Sequence, residues 1–136
     1  MGRPRGYIAD ATIRVSRFVS HDMDKEHRVV EADGTQPIVG ISQEGGKYAP
    51  LPSITTDPPT AAETDDQLNV YMPGDYALVI AGGTIDAGDL VVSNGSGAAV
   101  AMGATGTVYV GGRAEQDAVS GQYVLVFIAP QVIKLS

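Results

Sequence analysis

No cysteine occurs in the 136 residues, which removes disulfides, thiolate metal sites and cysteine nucleophiles together. Tryptophan is absent and phenylalanine occurs twice, so a sugar-stacking platform would have to be built from tyrosine alone. Long hydrophobic runs are missing as well. The longest, residues 123–130, falls far short of the roughly 20 residues that a membrane helix needs. Behind the basic start Met-Gly-Arg-Pro-Arg-Gly there is no apolar segment of the kind that marks a secretory leader. The sequence therefore reads as a soluble, unprocessed chain made in the cytoplasm, without a membrane partner. No segment sustains a 3.6-residue apolar period, so helices are not expected.

Positive charge is also scarce. Nine Lys and Arg stand against sixteen Asp and Glu, for a formal net charge of -7. Six of the nine cations (Arg3, Arg5, Arg14, Arg17, Lys25 and Arg28) fall in the first 28 residues, which leaves an acidic body. Nucleic-acid surfaces neutralise phosphates with clustered Lys and Arg, so no nucleic-acid partner is expected.

What the chain has in quantity is glycine and proline, seventeen and eight residues. Glycine supplies positive φ and proline stops helices, so short apolar runs between them predict many turns and short strands. Residues 10–19 alternate Ala11, Ile13 and Val15 with Thr12, Arg14 and Ser16, the period-2 pattern of a half-buried strand. Residues 68–72, 76–81 and 123–129 are short runs of Val, Ile, Leu, Tyr and Phe. Further strands are predicted at 27–31, 37–43, 90–93, 98–102 and 107–114. Residues 45–66 contain Pro50, Pro52, Pro58 and Pro59 and read as a long surface loop, a class often functional. Residues 1–9 read as an extended arm, leaving 10–136 as one β-domain.

A weak internal repeat runs through this order. Residues 27–34, 38–41 and 68–73 are echoed by 89–95, 109–112 and 124–130. Asp33-Gly34 and Asn94-Gly95 stand at matching places, each a favoured two-residue hairpin turn. The fold expected is all-β, a compact β-sandwich or small β-barrel built from two weakly similar halves.

Catalytic and cofactor chemistry finds little support. Residues 21–27 gather His21, His27 and three acids, but lack both the His-Glu-x-x-His spacing and the acid ladder of an EF-hand; the segment reads as a solvated turn. Residues 95–100, Gly-Ser-Gly-Ala-Ala-Val, do not open a helix, which a dinucleotide-binding loop requires. There is no Gly-x-Ser-x-Gly elbow. The acid pairs Asp22 with Asp24, Asp65 with Asp66, and Asp86 with Asp89 lack the apolar, aromatic setting of a glycosidase site. No enzyme activity, cofactor or metal is expected.

Residues 82–91 (Gly-Gly-Thr-Ile-Asp-Ala-Gly-Asp-Leu-Val), then Asn94-Gly95, Val110-Gly111 and residues 120–127 (Ser-Gly-Gln-Tyr-Val-Leu-Val-Phe), resemble phage capsid cement proteins, the head decoration family, over residues 27–130. The resemblance implies a β-rich subunit on the capsid exterior of the virion, made in the host cytoplasm, with the major capsid protein as partner and a homotrimer as oligomeric state. The insertion at 45–66 departs from the compact pattern. Contact candidates are Arg3, Arg5 and Tyr7 in the arm and Tyr48, Leu51 and Ile54 in the loop, since tyrosine is favoured at interfaces. The alternatives are a phage tail, baseplate or head-fibre component and, from another class, a carbohydrate-binding module.

Overall fold

The computed structural model describes residues 5–22, 28–42, 60–65, 67–103 and 106–135. Twelve strands follow one another without a helix among the described residues: β1 Arg5–Ala9, β2 Ile13–Arg14, β3 Phe18–His21, β4 Arg28–Glu31, β5 Ile38–Ser42, β6 Thr60–Ala62, β7 Gln67–Tyr71, β8 Tyr76–Ile80, β9 Leu90–Ser93, β10 Ala99–Ala101, β11 Gly106–Ala114 and β12 Tyr123–Leu135. The all-β expectation holds.

The first unit is a closed barrel in the order β1-β4-β3-β5-β7. Its interior takes Tyr7, Ala9, Ile13, Val15, Val19, Val29, Val39, Leu68 and Val70. The second unit is a five-stranded sheet, β10-β9-β11-β12-β8, whose two outer strands meet at the parallel bridge between Ala81 and Ala99. Ala9 meets Val29 in parallel at the same point of the first barrel.

That coincidence extends to every strand. β1 matches β8, β3 matches β9, β4 matches β10, β5 matches β11 and β7 matches β12. Tyr7 lies opposite Leu68 as Val79 lies opposite Val124. Val19 pairs with Gly40 as Val91 pairs with Gly112, and Ser42 with Val70 as Ala114 with Val126. Even the minor ladder recurs, with Ile13 opposite Ala62 and Ile85 opposite Ala118. Ser16 at φ 56° and Gly88 at φ 93° occupy one left-handed position, and their amides donate to Ser42 and Ala114. The repeat seen in the sequence is a duplication of one barrel topology.

The structure shifts its alignment by one residue. Gly40 corresponds to Gly112, not to Gly111. A Cβ on Gly40 would stand 1.9 Å from the Tyr71 carbonyl oxygen and 2.8 Å from Val70 Cγ1; on Gly112, 2.1 Å from the Phe127 oxygen and 2.8 Å from Val126 Cγ1. Each glycine lets the neighbouring strand close over it beside a β-bulge, where a side chain would force the ladder apart.

Other expectations are corrected. Residues 5–9 are not an extended arm: they form β1, paired with both β4 and β7, because Tyr7 and Ala9 supply the period-2 apolar face that the barrel interior needs. The single strand over 10–19 is broken into β2 and β3 by the left-handed Ser16. Thr60–Ala62, inside the predicted loop 45–66, forms β6 against β2. Asp33-Gly34 is not a hairpin turn, since β4 pairs with β1 and β3 while β5 pairs with β3 and β7. Asn94-Gly95 does begin a hairpin, but a longer one. The Asn94 side-chain oxygen accepts from the amides of Ser96 at 2.9 Å and Ala98 at 3.1 Å, and Gly97, not Gly95, takes positive φ.

The units stack through the outer face of β3 and β5. Phe18, Ala32, Ile38 and Ile41 point away from the first barrel and join Val79, Val91, Val124, Val126 and Ile128 in one apolar cluster. Polar links seal its margin: Phe18 N–H donates to Gly97 O at 2.9 Å and Ile80 N–H to Ser16 O at 3.0 Å. Arg17, almost fully buried, donates to Ser96 O at 3.0 Å; desolvation holds its pKa below the ordinary arginine value. In the second unit the counterparts of Phe18 and Ile41 are Leu90 and Arg113. Arg113 is exposed and lies 3.7 Å from Glu115, so the stacking face of the first unit is not reproduced.

Candidate interaction face

Outward positions on β8 and β12 are set by strand alternation. Ala77 and Val79 are buried, which turns Tyr76, Leu78 and Ile80 to the other side. On β12 the buried Val124 and Val126 do the same for Tyr123, Leu125 and Phe127. Cross-strand register then joins these residues into one patch: Leu78 faces Leu125, Ile80 faces Tyr123, and Tyr76 faces Phe127 with ring centroids 5.0 Å apart.

Among the described residues, the exposed large hydrophobics are Tyr76 at 57%, Leu78 at 49%, Val119 at 51%, Tyr123 at 45% and Val132 at 57%. All five belong to the second unit, on β8, on β12 or in the turn that leads into β12. Scattered exposed apolar residues need no account, but a contiguous patch does.

The first barrel serves as an internal control. By the same register, Leu78, Tyr123 and Leu125 correspond to Gly6, Gln67 and Asn69. The patch residues Ile80 and Phe127 correspond to Ile8 and Tyr71, so three of these positions are large and apolar in the second unit alone and two are so in both. Closing the sheet does not require the apolar set.

Beside the patch lies a groove of about 320 Å³ between the units. Ser16, Ser42 and Tyr71 wall it from the first unit, and Tyr76, Leu78 and Leu125 from the second. Among the described residues no charged side chain lines it. Ser42 Oγ donates to Arg14 O at 2.7 Å and accepts from Arg17 N–H at 3.0 Å, so its hydroxyl is held in place by the first unit.

Of the predicted contact residues, Arg3, Tyr48, Leu51 and Ile54 lie outside the described residues. Arg5 stands on β1 opposite Val70. Tyr7 is 6% exposed, inside the barrel and edge-on to His21 at 5.7 Å, so its ring is core and not contact surface. The sequence reading missed Tyr76, Leu78, Tyr123 and Leu125. The available signal was that residues 76–81 and 123–129 are apolar at both parities, which strand reasoning assigns to burial on two faces.

The other polar groups hold loops and barrel ends. His21 ends β3 and Asp22 N–H donates to Arg28 O at 2.9 Å, while residues 23–27 of the predicted cluster lie outside the described residues; among the described residues no group of three His, Asp or Glu is placed to hold a metal. Asp89 accepts from Asp86 N–H at 3.0 Å and Asp117 from Ala87 N–H at 2.8 Å. Glu31 takes a bidentate grip on Arg14, at 3.0 and 2.9 Å, and this hydrogen bonding raises the arginine pKa. Arg28 reaches Asp65 at 2.7 Å and Asp10 at 3.3 Å.

No family model matches the chain, and no curated protein matches it. Among solved structures, the N base of head fiber gp8.5 in bacteriophage phi29 is similar in fold, with a TM-score of 0.62 at 21% identity, covering 95% of each chain.

Proposed function

We propose that this chain is a structural component of a phage head, a decoration subunit that docks on the outside of the assembled major capsid protein lattice and stabilises it by binding, without catalysis. The observation that carries this reading is the apolar face of β8 and β12, which is continuous in the second unit and interrupted in the first, where Gly6, Gln67 and Asn69 take the places of Leu78, Tyr123 and Leu125. The fold, shared end to end with a phage head-fibre base, supports the setting. A homotrimer belongs to the same reading.

Stabilisation follows from mass action. A subunit that binds only the assembled, expanded lattice lowers its free energy by about 2.7 kcal/mol per site when present ~100-fold above Kd. Many such sites together oppose internal pressure.

A second reading, the base of a head fibre, is favoured by the likeness to the gp8.5 N base. The two differ in occupancy: a decoration subunit covers the lattice, whereas a fibre base takes a small set of positions. Purified chain added to undecorated expanded capsids and to unexpanded procapsids, followed by sedimentation and cryo-microscopy, tests both. Lattice-wide occupancy of expanded capsids is expected; sparse occupancy would select the fibre base. Failure to bind either particle would overturn both.

A further inference from the structure

We infer that the open edge of β8, beside the groove between the two units, takes an extended, uncharged segment of a partner protein as an added strand. The inference deepens the proposed function and rests on it for one point, that the partner is a protein.

The direction of the β8 backbone is fixed by two hydrogen bonds. Ala81 N–H donates across to Gln122 O in the chain leading into β12, and Ile80 N–H donates the opposite way, to Ser16 O. Alternation therefore turns the N–H and C=O groups of Leu78 and Tyr76 to the same side as those of Ile80, away from β12. Among the described residues, β12 is the one strand paired with β8 over Tyr76–Ile80, and Ser16 O supplies a backbone partner on the far side at Ile80 alone. Ser16 and the bridge between Ala81 and Ala99 thus close one end of this edge, and among the described residues nothing pairs with the rest.

Natural sheets protect such edges with charge, proline or inward-pointing polar groups. β8 reads Tyr-Ala-Leu-Val-Ile and carries none of them. The groove runs along this edge, and its lining among the described residues is uncharged, in a chain of net charge -7. An acidic or basic segment would lose hydration there and find no counter-charge among the described residues, which commits the occupant to uncharged residues. Leu78 and Leu125 border the groove from the exposed sheet face, so alternate apolar side chains of an added strand would rest on them. Backbone pairing at Leu78 and Tyr76 gives affinity, and this apolar contact gives selectivity, the division of labour expected of strand addition.

Amide hydrogen exchange on the full chain tests the inference, with an acetylated ten-residue peptide of alternating Ser and Val as probe, a Lys-Glu alternating peptide as control, and undecorated expanded capsids in parallel. The Leu78 amide is expected to exchange freely in the isolated chain and to slow at least tenfold with the Ser-Val peptide and with capsids, but not with the control. Leu78→Lys and Leu125→Lys, both on the exposed face, should abolish peptide binding while leaving the exchange of Val79 and Val124 unchanged. Capsid binding with an unprotected Leu78 amide would overturn the inference and leave the proposed function standing. Peptide protection without capsid binding would do the reverse. Protection in the isolated chain that fades on dilution would assign the edge to a second copy. Protection independent of concentration that is released when residues 43–59 are replaced by one glycine would assign it to the chain itself. Either result overturns the inference.

Discussion

The ring of Phe18 lies directly on the backbone of Gly111: a Cβ at position 111 would stand 2.4 Å from Phe18 Cε1 and 2.7 Å from Cζ. Phe18 leaves the first barrel and Gly111 is the bulged residue of β11 in the second, at the register shift between Val110 and Gly112. One missing side chain thus admits Phe18, the largest fully buried side chain among the described residues, and the two units stack through that contact.

Gly111→Ala should therefore destabilise the chain by about 2 kcal/mol, within the range for overpacked cores, read as a lower melting temperature. Phe18→Leu in the same chain removes the ring atoms that collide, so the double variant should lose less than the sum of the two singles, by at least ~0.5 kcal/mol. Gly95→Ala is the control. Nothing lies within 4 Å of a Cβ there and φ is not positive, so its effect should stay within about 0.5 kcal/mol. Additive losses in the cycle would remove the Phe18 to Gly111 contact from the account of unit stacking.

The duplication makes a separate prediction about residues 43–59. They connect Ser42 to Thr60, whereas the counterparts Ala114 and Gln116 are joined by Glu115 alone. A barrel of the same register thus closes with one residue at this place. Replacing 43–59 by a single residue should leave strand content by circular dichroism unchanged and alter stability by no more than about 2 kcal/mol, since closure entropy changes slowly with loop length. Loss of cooperative unfolding would show that the insertion supports the first barrel.

Much of this was legible in the sequence, and the failures have local causes. The strand at Leu90–Ser93 and those near β5, β7, β8 and β11 follow from apolar runs between glycine and proline, and the two-half organisation follows from matching turn and strand phrases. What the phrases could not fix was register: Val-Gly at 110–111 matches Val-Gly at 39–40 as letters, but the bulge makes Gly112 the partner of Gly40. β1 was hidden because Arg3, Pro4 and Arg5 resemble an arm, and Tyr7 needs β4 and β7, remote in sequence, before it counts as core. The outer face was hidden for a related reason. A run apolar at both parities does not say which parity the barrel buries, and the contrast with Gly6, Gln67 and Asn69 exists only once the two registers are superimposed.

Acid should loosen one turn only at low pH. Asp33 Oδ1 accepts from Thr35 N–H at 2.9 Å and from the Thr35 hydroxyl, and these bonds, the hydroxyl first, hold its pKa below the ordinary carboxylate value. A depressed carboxylate favours the fold above its ordinary pKa, and that contribution is lost as pH falls through the lower, folded value. The Asp33 carboxyl should titrate below the ordinary aspartate pKa by NMR, and Thr35→Val should move it upward. An unchanged titration in Thr35→Val would separate the shift from this turn.

The apolar face yields the sharpest separation of folding from function, because β7 carries polar residues at two of its positions. Tyr123→Gln with Leu125→Asn gives β12 the residues that β7 carries at the same positions, Gln67 and Asn69. Tyr123 is 45% exposed and Leu125 half-buried, and the buried faces of Val124 and Val126 are untouched. The cost to stability should be small, about 1 kcal/mol, from the lost cross-strand pairing with Ile80 and Leu78. Binding is another matter. Apolar anchors at the centre of an interface each contribute on the order of 2 kcal/mol, so removing two should weaken capsid binding at least 100-fold, measured by co-sedimentation with expanded capsids. A variant that melts near the parent temperature and no longer binds places the docking surface on this face. A variant that binds as well as the parent leaves the apolar residues without a role in docking, and the contrast between the two barrels would then need another cause.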